Sequence, residues 1–178
     1  MLASAYDQKL VDKVKFPAYA QLKMDGMRFN AIVRNGKVEF RSRNGKEINV
    51  ASELFVEPFI HMSNYFGQDM VFDGELLVVD DFGKPMDRKT GNGILNKAVK
   101  GTQSKQEGER VRATIWDAIP FEFFHQGAYH EPYSSRFAKL SNCVSDLKNR
   151  SAVGHLADVV ESREVDADAL VHGPRVDG

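Results

Sequence analysis

A lysine, an aspartate and an arginine frame a glycine in "QLKMDGMRFN", residues 21–30. A neutral lysine amine is a good nucleophile toward phosphorus. At pH 7 a free lysine is protonated, so a site that uses one must lower its pKa with nearby positive charge or by desolvation. Arg28 or a bound cation would supply the charge, and an apolar strand around Leu22 would supply the desolvation. Gly26 would let the backbone approach a nucleotide with no Cβ in the way. Two readings stand at this point. Lys23 is a nucleophile in a phosphate site, or the segment is a surface turn with ordinary charges.

Three later stretches also carry chemistry. "SRNG", Ser42 to Gly45, follows a hairpin pattern. "FDGEL", Phe72 to Leu76, sets Asp73 and Glu75 two residues apart, which puts both carboxylates on one face of a strand. Carboxylates in an apolar strand are costly unless they bind a cation or accept hydrogen bonds. "TIWDAIP" sets Trp116, the single tryptophan, beside Asp117. The ordinary reading of such an indole is core packing.

The elements that must position these residues are legible as patterns. Met27, Phe29, Ala31 and Val33 alternate with the residues between them, as on a strand, and Asn35-Gly36 favours a type I′ hairpin turn. Lys37 to Ser42 then returns as the partner strand. Residues 52–66 read as a helix, in which Pro58 must sit near the first turn or kink it. Met70 to Val79 and residues 111–119 read as strands, with a turn at Asp81 to Lys84. A short helix is expected from Ile94 to Lys100. An amphipathic helix is expected over 134–148, with Phe137, Leu140, Val144 and Leu147 on one face and Ser134 or Ser135 as its cap. A further strand is expected within 155–162, and Asp166 would cap a helix after it. Phe121, Phe123 and Phe124 are expected in the core or as a staple between elements. The fold class is α+β, one domain rich in antiparallel strands flanked by helices.

Composition bounds the function. The 178 residues are 42% hydrophobic and 28% charged, as in a globular protein with a real core. Twenty-four Lys and Arg against 25 Asp and Glu give a net charge of −1, so any nucleic-acid surface must be local. The one basic stretch runs from Phe82 to Gln106, with six Lys or Arg and one acidic residue. Lys97 and Lys100 within it are candidate contacts for nucleic-acid phosphates, against the ordinary reading of a solvated loop. Cys143 has no partner for an intrachain disulfide and falls on an apolar helix face, which fits a reducing compartment and an inert thiol. The five histidines show no metal-ligand spacing, and His125 and His130 are expected at the surface or as caps. "MLASAYDQKL" lacks the basic-then-apolar pattern of a signal peptide, and no apolar run has the ~20 residues of a membrane span.

In their order and spacing the motifs resemble those of ATP-dependent DNA ligases. Lys23, Asp25, Gly26 and Arg28 match KxDGxR; Ser42, Arg43 and Gly45 match SRxG; Asp73 to Leu76 match DGEL; Trp116 and Asp117 match the aromatic-Asp element. "KFPAYAQLKMDG", "NGILNKAVKGT" and "WDAIP" are further similar to the ligases of T-even bacteriophages. The resemblance implies a nucleotidyltransferase adenylation domain, ATP-grasp-like in class, acting with ATP and Mg²⁺ on nicked double-stranded DNA. Such a protein serves replication, repair and recombination, as a monomer in the cytoplasm of a phage host. It implies that Lys23 becomes adenylylated and that AMP passes to the 5′-phosphate of the nick. Gln21 and Leu22 lie where the family's backbone meets adenine. Arg28 and Arg43 contact the nucleotide or the nick phosphate, Glu75 holds the ribose or a metal with Asp25 as a second metal ligand, and Trp116 lies against adenine. Arg136 in "SSRFAKL" matches a family arginine. The family's late Glu-Gly and Lys-x-Lys elements have no match, so the resemblance implies a C-terminally truncated adenylation domain without the N-terminal DNA-binding and C-terminal OB domains. An RNA ligase or capping-type enzyme, or an impaired fragment that only binds ATP or DNA, are the alternatives.

Overall fold

The computed structural model describes residues 12–166. It divides the chain into two units, Met24–Val160 and a smaller one formed by Met1–Lys23 with Glu161–Gly178.

The larger unit is built on a five-stranded sheet. Strand β2 (Met27–Arg34) and β3 (Lys37–Ser42) form the expected hairpin. Asn35 and Gly36 take φ of 50° and 72°, the paired positive values that its two-residue turn requires. Strand β4 (Met70–Val78) lies antiparallel to β2 on one side and to β5 (Val111–Pro120) on the other. The short β6 (Ala157–Val159) joins β5 in parallel, whereas the other pairings of this sheet are antiparallel. A sheet that ends in a helix crossover can add its last strand either way.

Alternation sets the two faces of this sheet. Phe29, Ala31 and Val33 of β2, Phe72, Leu76 and Val78 of β4, and Ala113 and Ile115 of β5 are buried in one core. Phe40, Phe55 and Phe59 join them in an aromatic cluster, with ring centroids 5.1 Å apart for Phe40 and Phe59. Helices α1 (Glu57–Phe66) and α5 (Tyr133–Arg150) cover this core. Pro58 stands in the first turn of α1, where its missing N–H costs nothing. On the opposite side of the strands Arg28, Asp73, Glu75 and Asp117 are only half-buried.

Several elements differ from their sequence pattern. Helix α2 (Arg88–Lys100) begins six residues before the expected Ile94, because Asp87 caps it by accepting from the Thr90 N–H at 3.1 Å. Gly91 and Gly93 hide that first turn from a propensity reading. A one-turn helix α3 (Lys105–Gly108) follows, closed by a Ser104–Glu107 capping box. Helix α5 starts at Tyr133 with no side-chain cap; Ser135 instead hydrogen-bonds to Glu131. Leu140, Cys143, Val144 and Leu147 form its buried face, and Phe137 is only half-buried. Phe121, Phe123 and Phe124 are not core residues but lie on a short surface helix, α4 (Phe121–Gln126), that has no buried residue. Phe121 packs against His125, and Arg34 stacks over its ring.

In the smaller unit β1 (Ala18–Gln21) pairs antiparallel with β7 (Ser162–Val165), and Gln21 donates to the Ser162 hydroxyl at 2.8 Å. The single strand expected over 155–162 is therefore two short ones in different sheets, β6 and β7. A helix capped by Asp166 would lie outside the described residues. Among the described residues no helix is long and apolar enough to cross a membrane.

Candidate active site

Strand register brings three of the sequence motifs to one end of the sheet. Arg28 stands opposite Glu75, and Phe29 opposite Ser42. The turn "SRNG" therefore leaves β3 beside the point where "MDGMR" enters β2. It is closed by Gly45 N donating to Ser42 O at 2.8 Å, and Lys46 N donates to Ser42 Oγ at 3.1 Å. Arg43, in the middle of that turn, is exposed.

A hydrogen bond ties Gly26 of the signature to β4. The Gly26 N–H donates to Glu75 Oε1 at 3.0 Å, across 49 residues of sequence. Packing within the protein by itself requires glycine here. A Cβ at position 26 would overlap the Leu76 carbonyl oxygen and lie 2.9 Å from Leu77 Cδ2. The close neighbour is the protein's own β4 backbone. Asp25, one residue earlier, is exposed and pairs with Arg88 at 3.3 Å.

Arg28 is bound within the protein. It grips Asp73 with two nitrogens, Nε to Oδ1 at 3.0 Å and Nη2 to Oδ2 at 2.6 Å. Hydrogen bonding to Asp73 raises its pKa, so the guanidinium is charged at any working pH. Its Cζ also sits 5.8 Å from the Trp116 ring centroid, a cation–π contact. Asp117 is held in the same manner from the other side: Arg136 donates from Nε and Nη2 at 2.8 Å each, and this bonding raises the Arg136 pKa.

Trp116 is half-buried and is not among the buried core residues. Its place follows from a β-bulge. Asp73 pairs with Asp117, but Gly74 pairs with Ile115, so Trp116 is the extra residue of β5. Gly74 makes room for the bulge, since a Cβ there would overlap the Thr114 carbonyl and lie 3.0 Å from Ile115 Cα. The glycine of "DGEL" thus serves the placement of the tryptophan of "WD".

Lys23 is exposed, two residues beyond the end of β1, and closes the smaller unit as Met24 opens the larger. Leu22 is 65% exposed and lies past the strand, so no apolar strand surrounds it as expected. Lys97 is tied to Glu107 at 2.5 Å, whereas Lys100 stands exposed in the last turn of α2. Among the described residues no group of three or more His, Cys, Asp or Glu is arranged to hold a metal ion.

A second polar cluster escaped the sequence reading. Glu131 accepts from Tyr129 at 2.7 Å and from Ser135, and pairs with Lys139 at 2.6 Å. These partners, Lys139 first, hold its carboxyl down at about 2. Its backbone oxygen accepts from Arg136 Nη1. The spacing of Glu131, Ser135 and Lys139, each four apart at the start of a helix, was the available signal.

Comparison with known proteins decides the family. The model of the ATP dependent DNA ligase domain matches residues 1–169. The chain belongs to that family. It is 34% identical to the DNA ligase of enterobacteria phage T6 over an alignment that covers 82% of this chain and 36% of the relative. For the phage T4 DNA ligase the identity is 33% with the same coverages. This ligase-family chain thus spans about a third of the length of the curated relatives it matches. Its fold is that of the bacteriophage T7 ATP-dependent DNA ligase solved in complex with ATP, with a TM-score of 0.66 at 20% identity over 94% of this chain and 56% of that one. The α+β nucleotidyltransferase class expected from the sequence is the class observed.

Proposed function

We propose that this chain supplies the nucleotide-binding and nucleophilic part of a DNA ligase that uses ATP and acts on nicked double-stranded DNA. The observation that supports this most is the Gly26–Glu75 hydrogen bond, which ties the KxDG loop to the DGE strand. A charged surface turn would have no need of a specific tether to a half-buried carboxylate 49 residues away.

In this reading the neutral Lys23 amine attacks the α-phosphorus of ATP. A P–N bond forms, the bond to pyrophosphate breaks, and the amine loses its proton to solvent. AMP then passes to the 5′-phosphate of the nick, and the 3′-hydroxyl displaces it. Arg43, exposed in its tight turn, is the arginine available to phosphate, because Arg28 is committed to Asp73. Arg28 is therefore assigned to orienting Trp116, and the indole to packing on adenine. Gln21 and Leu22 are kept as adenine-side residues.

Mg²⁺ fits the residues present only as an ion held mainly by nucleotide phosphates. Such ions use one or two carboxylates and no dedicated cage. The candidate carboxylates are Glu75, which accepts from the Gly26 N–H, and Asp25, which Arg88 holds. Bound there, the ion would neutralise charge on the non-bridging oxygens. Of the two lysines expected on DNA, Lys100 is retained and Lys97 is given its structural partner Glu107.

The test is intact-mass spectrometry after incubation with ATP and Mg²⁺, and separately with GTP. The expected result is a covalent AMP adduct with ATP, none with GTP, and none with ATP for Lys23→Ala. An adduct on Lys23→Ala overturns the nucleophile, and a GMP adduct favours a capping-type enzyme.

A further inference from the structure

Trp116 is the residue of β5 that the bulge leaves without a strand partner, and its backbone oxygen is satisfied from outside the sheet. The Tyr133 hydroxyl donates to Trp116 O at 2.8 Å. Three residues further along α5, on the same helix face, Arg136 makes its two bonds to Asp117. The Arg136 guanidinium lies 5.5 Å over the Tyr133 ring, so the two side chains support each other. The first turn of one helix therefore grips both residues of the "WD" pair, one by its carbonyl and one by its carboxylate.

A bulge is the least determined point of a strand, since its extra residue has lost its ladder bonds. Without an outside anchor the peptide at Trp116 has freedom to rotate, and the indole turns with it. The sheet cannot supply that anchor, because the Gly74–Ile115 pair has already resumed the register.

We infer that Tyr133 and Arg136 are positioning residues, which set the orientation of the Trp116 indole through the bulged backbone and thereby tune the affinity for the adenine base. This rests on the reading that Trp116 packs on adenine. Neither side chain needs to touch the nucleotide. Tyr133 acts on the carbonyl of Trp116, and Arg136 acts on the neighbouring carboxylate.

The single tryptophan makes the effect measurable without any nucleotide. Tyr133→Phe keeps the ring under Arg136 and removes only the hydroxyl. In the nucleotide-free chain it is expected to raise acrylamide quenching of the indole and lower its anisotropy, with the circular dichroism spectrum unchanged. By calorimetry ATP binding should weaken about threefold to tenfold, the range that one hydrogen bond is typically worth. Arg136→Lys, which keeps the charge but loses the paired geometry, should move the same readouts in the same direction. Trp116→Ala is the control for the underlying reading. If Trp116→Ala binds ATP as the parent does, the adenine-packing reading falls, and the quenching data still decide whether Tyr133 orders the indole. If Trp116→Ala weakens ATP binding while a folded Tyr133→Phe shows parental quenching and parental affinity, the positioning role is overturned. Should Tyr133→Phe fail to fold, the same comparison on Arg136→Lys decides between these outcomes.

Discussion

Asp73 and Asp117 stand directly opposite each other on neighbouring antiparallel strands, and each is gripped by an arginine from outside the pair. Like charges in that position repel, so an unpaired sheet would not tolerate them. Arg28 from β2 and Arg136 from α5 turn the repulsion into a four-charge arrangement that joins β2, β4, β5 and α5. The side chains are between 15% and 25% exposed, buried enough for the pairing to matter and wet enough to discount its energy.

Arg28→Met should therefore destabilise the fold by about 1–2 kcal/mol, because it leaves Asp73 facing Asp117 uncompensated. Adding Asp73→Asn should recover most of that loss. Urea midpoints of the two single variants and the double variant decide it. Additive losses would mean that Arg28 and Asp73 are not coupled.

Lys23→Arg should form no AMP adduct, just like Lys23→Ala, since a guanidinium stays protonated and cannot attack. Stability should stay within about 0.5 kcal/mol of the parent, because the side chain is exposed. Mass spectrometry and a thermal melt read the two halves of this prediction separately.

Gly26→Ala and Gly74→Ala should each cost about 1–3 kcal/mol, through the strain of forcing a methyl group against a neighbouring strand carbonyl. They should differ in spectroscopy. Gly74→Ala should shift the Trp116 emission because it disturbs the bulge, and Gly26→Ala should leave it nearly unchanged. Equal spectral shifts would disconnect Gly74 from the placement of Trp116.

Glu131 gives a pH-dependent prediction. Its carboxyl titrates near 4.5 when unfolded and at about 2 in the fold, where Lys139, Ser135 and Tyr129 hold the charged form. The depressed folded value means that its contribution to stability is complete above pH 4.5 and is lost as pH falls toward 2. Glu131→Gln should flatten the decline of thermal midpoint across that window and have its largest effect at neutral pH. An unchanged slope would show that other carboxylates govern acid unfolding.

Cys143 is fully buried and its thiol is pushed up to about 12, chiefly by burial and further by Asp146. Native protein at pH 8 should resist thiol reagents, and labelling should track global unfolding in urea. Fast labelling in the absence of denaturant would reveal local opening of α5.

Much of this was fixed by short-range chemistry and was legible in the chain. Alternation from Met27 to Val33 and the Asn35-Gly36 turn specify the first hairpin, because a period of two and a pair of positive φ angles have few other solutions. The spacing of Leu140, Val144 and Leu147 specifies the long helix, and "KMDGMR", "DGEL" and "WD" name the candidate residues. What tertiary structure alone decided is which of those residues meet. No local pattern states the register of β4 against β2 and β5, and that register commits Arg28 to Asp73, points Glu75 at Gly26, and leaves Trp116 as the odd residue of a bulge. Both glycines were visible as motif positions, yet their reason lies in carbonyls roughly 40 to 50 residues away in sequence, a distance over which a chain reading has no physical handle. The sequence determined which chemical groups the site would have; packing between strands determined which of them are already occupied and which remain available to a ligand.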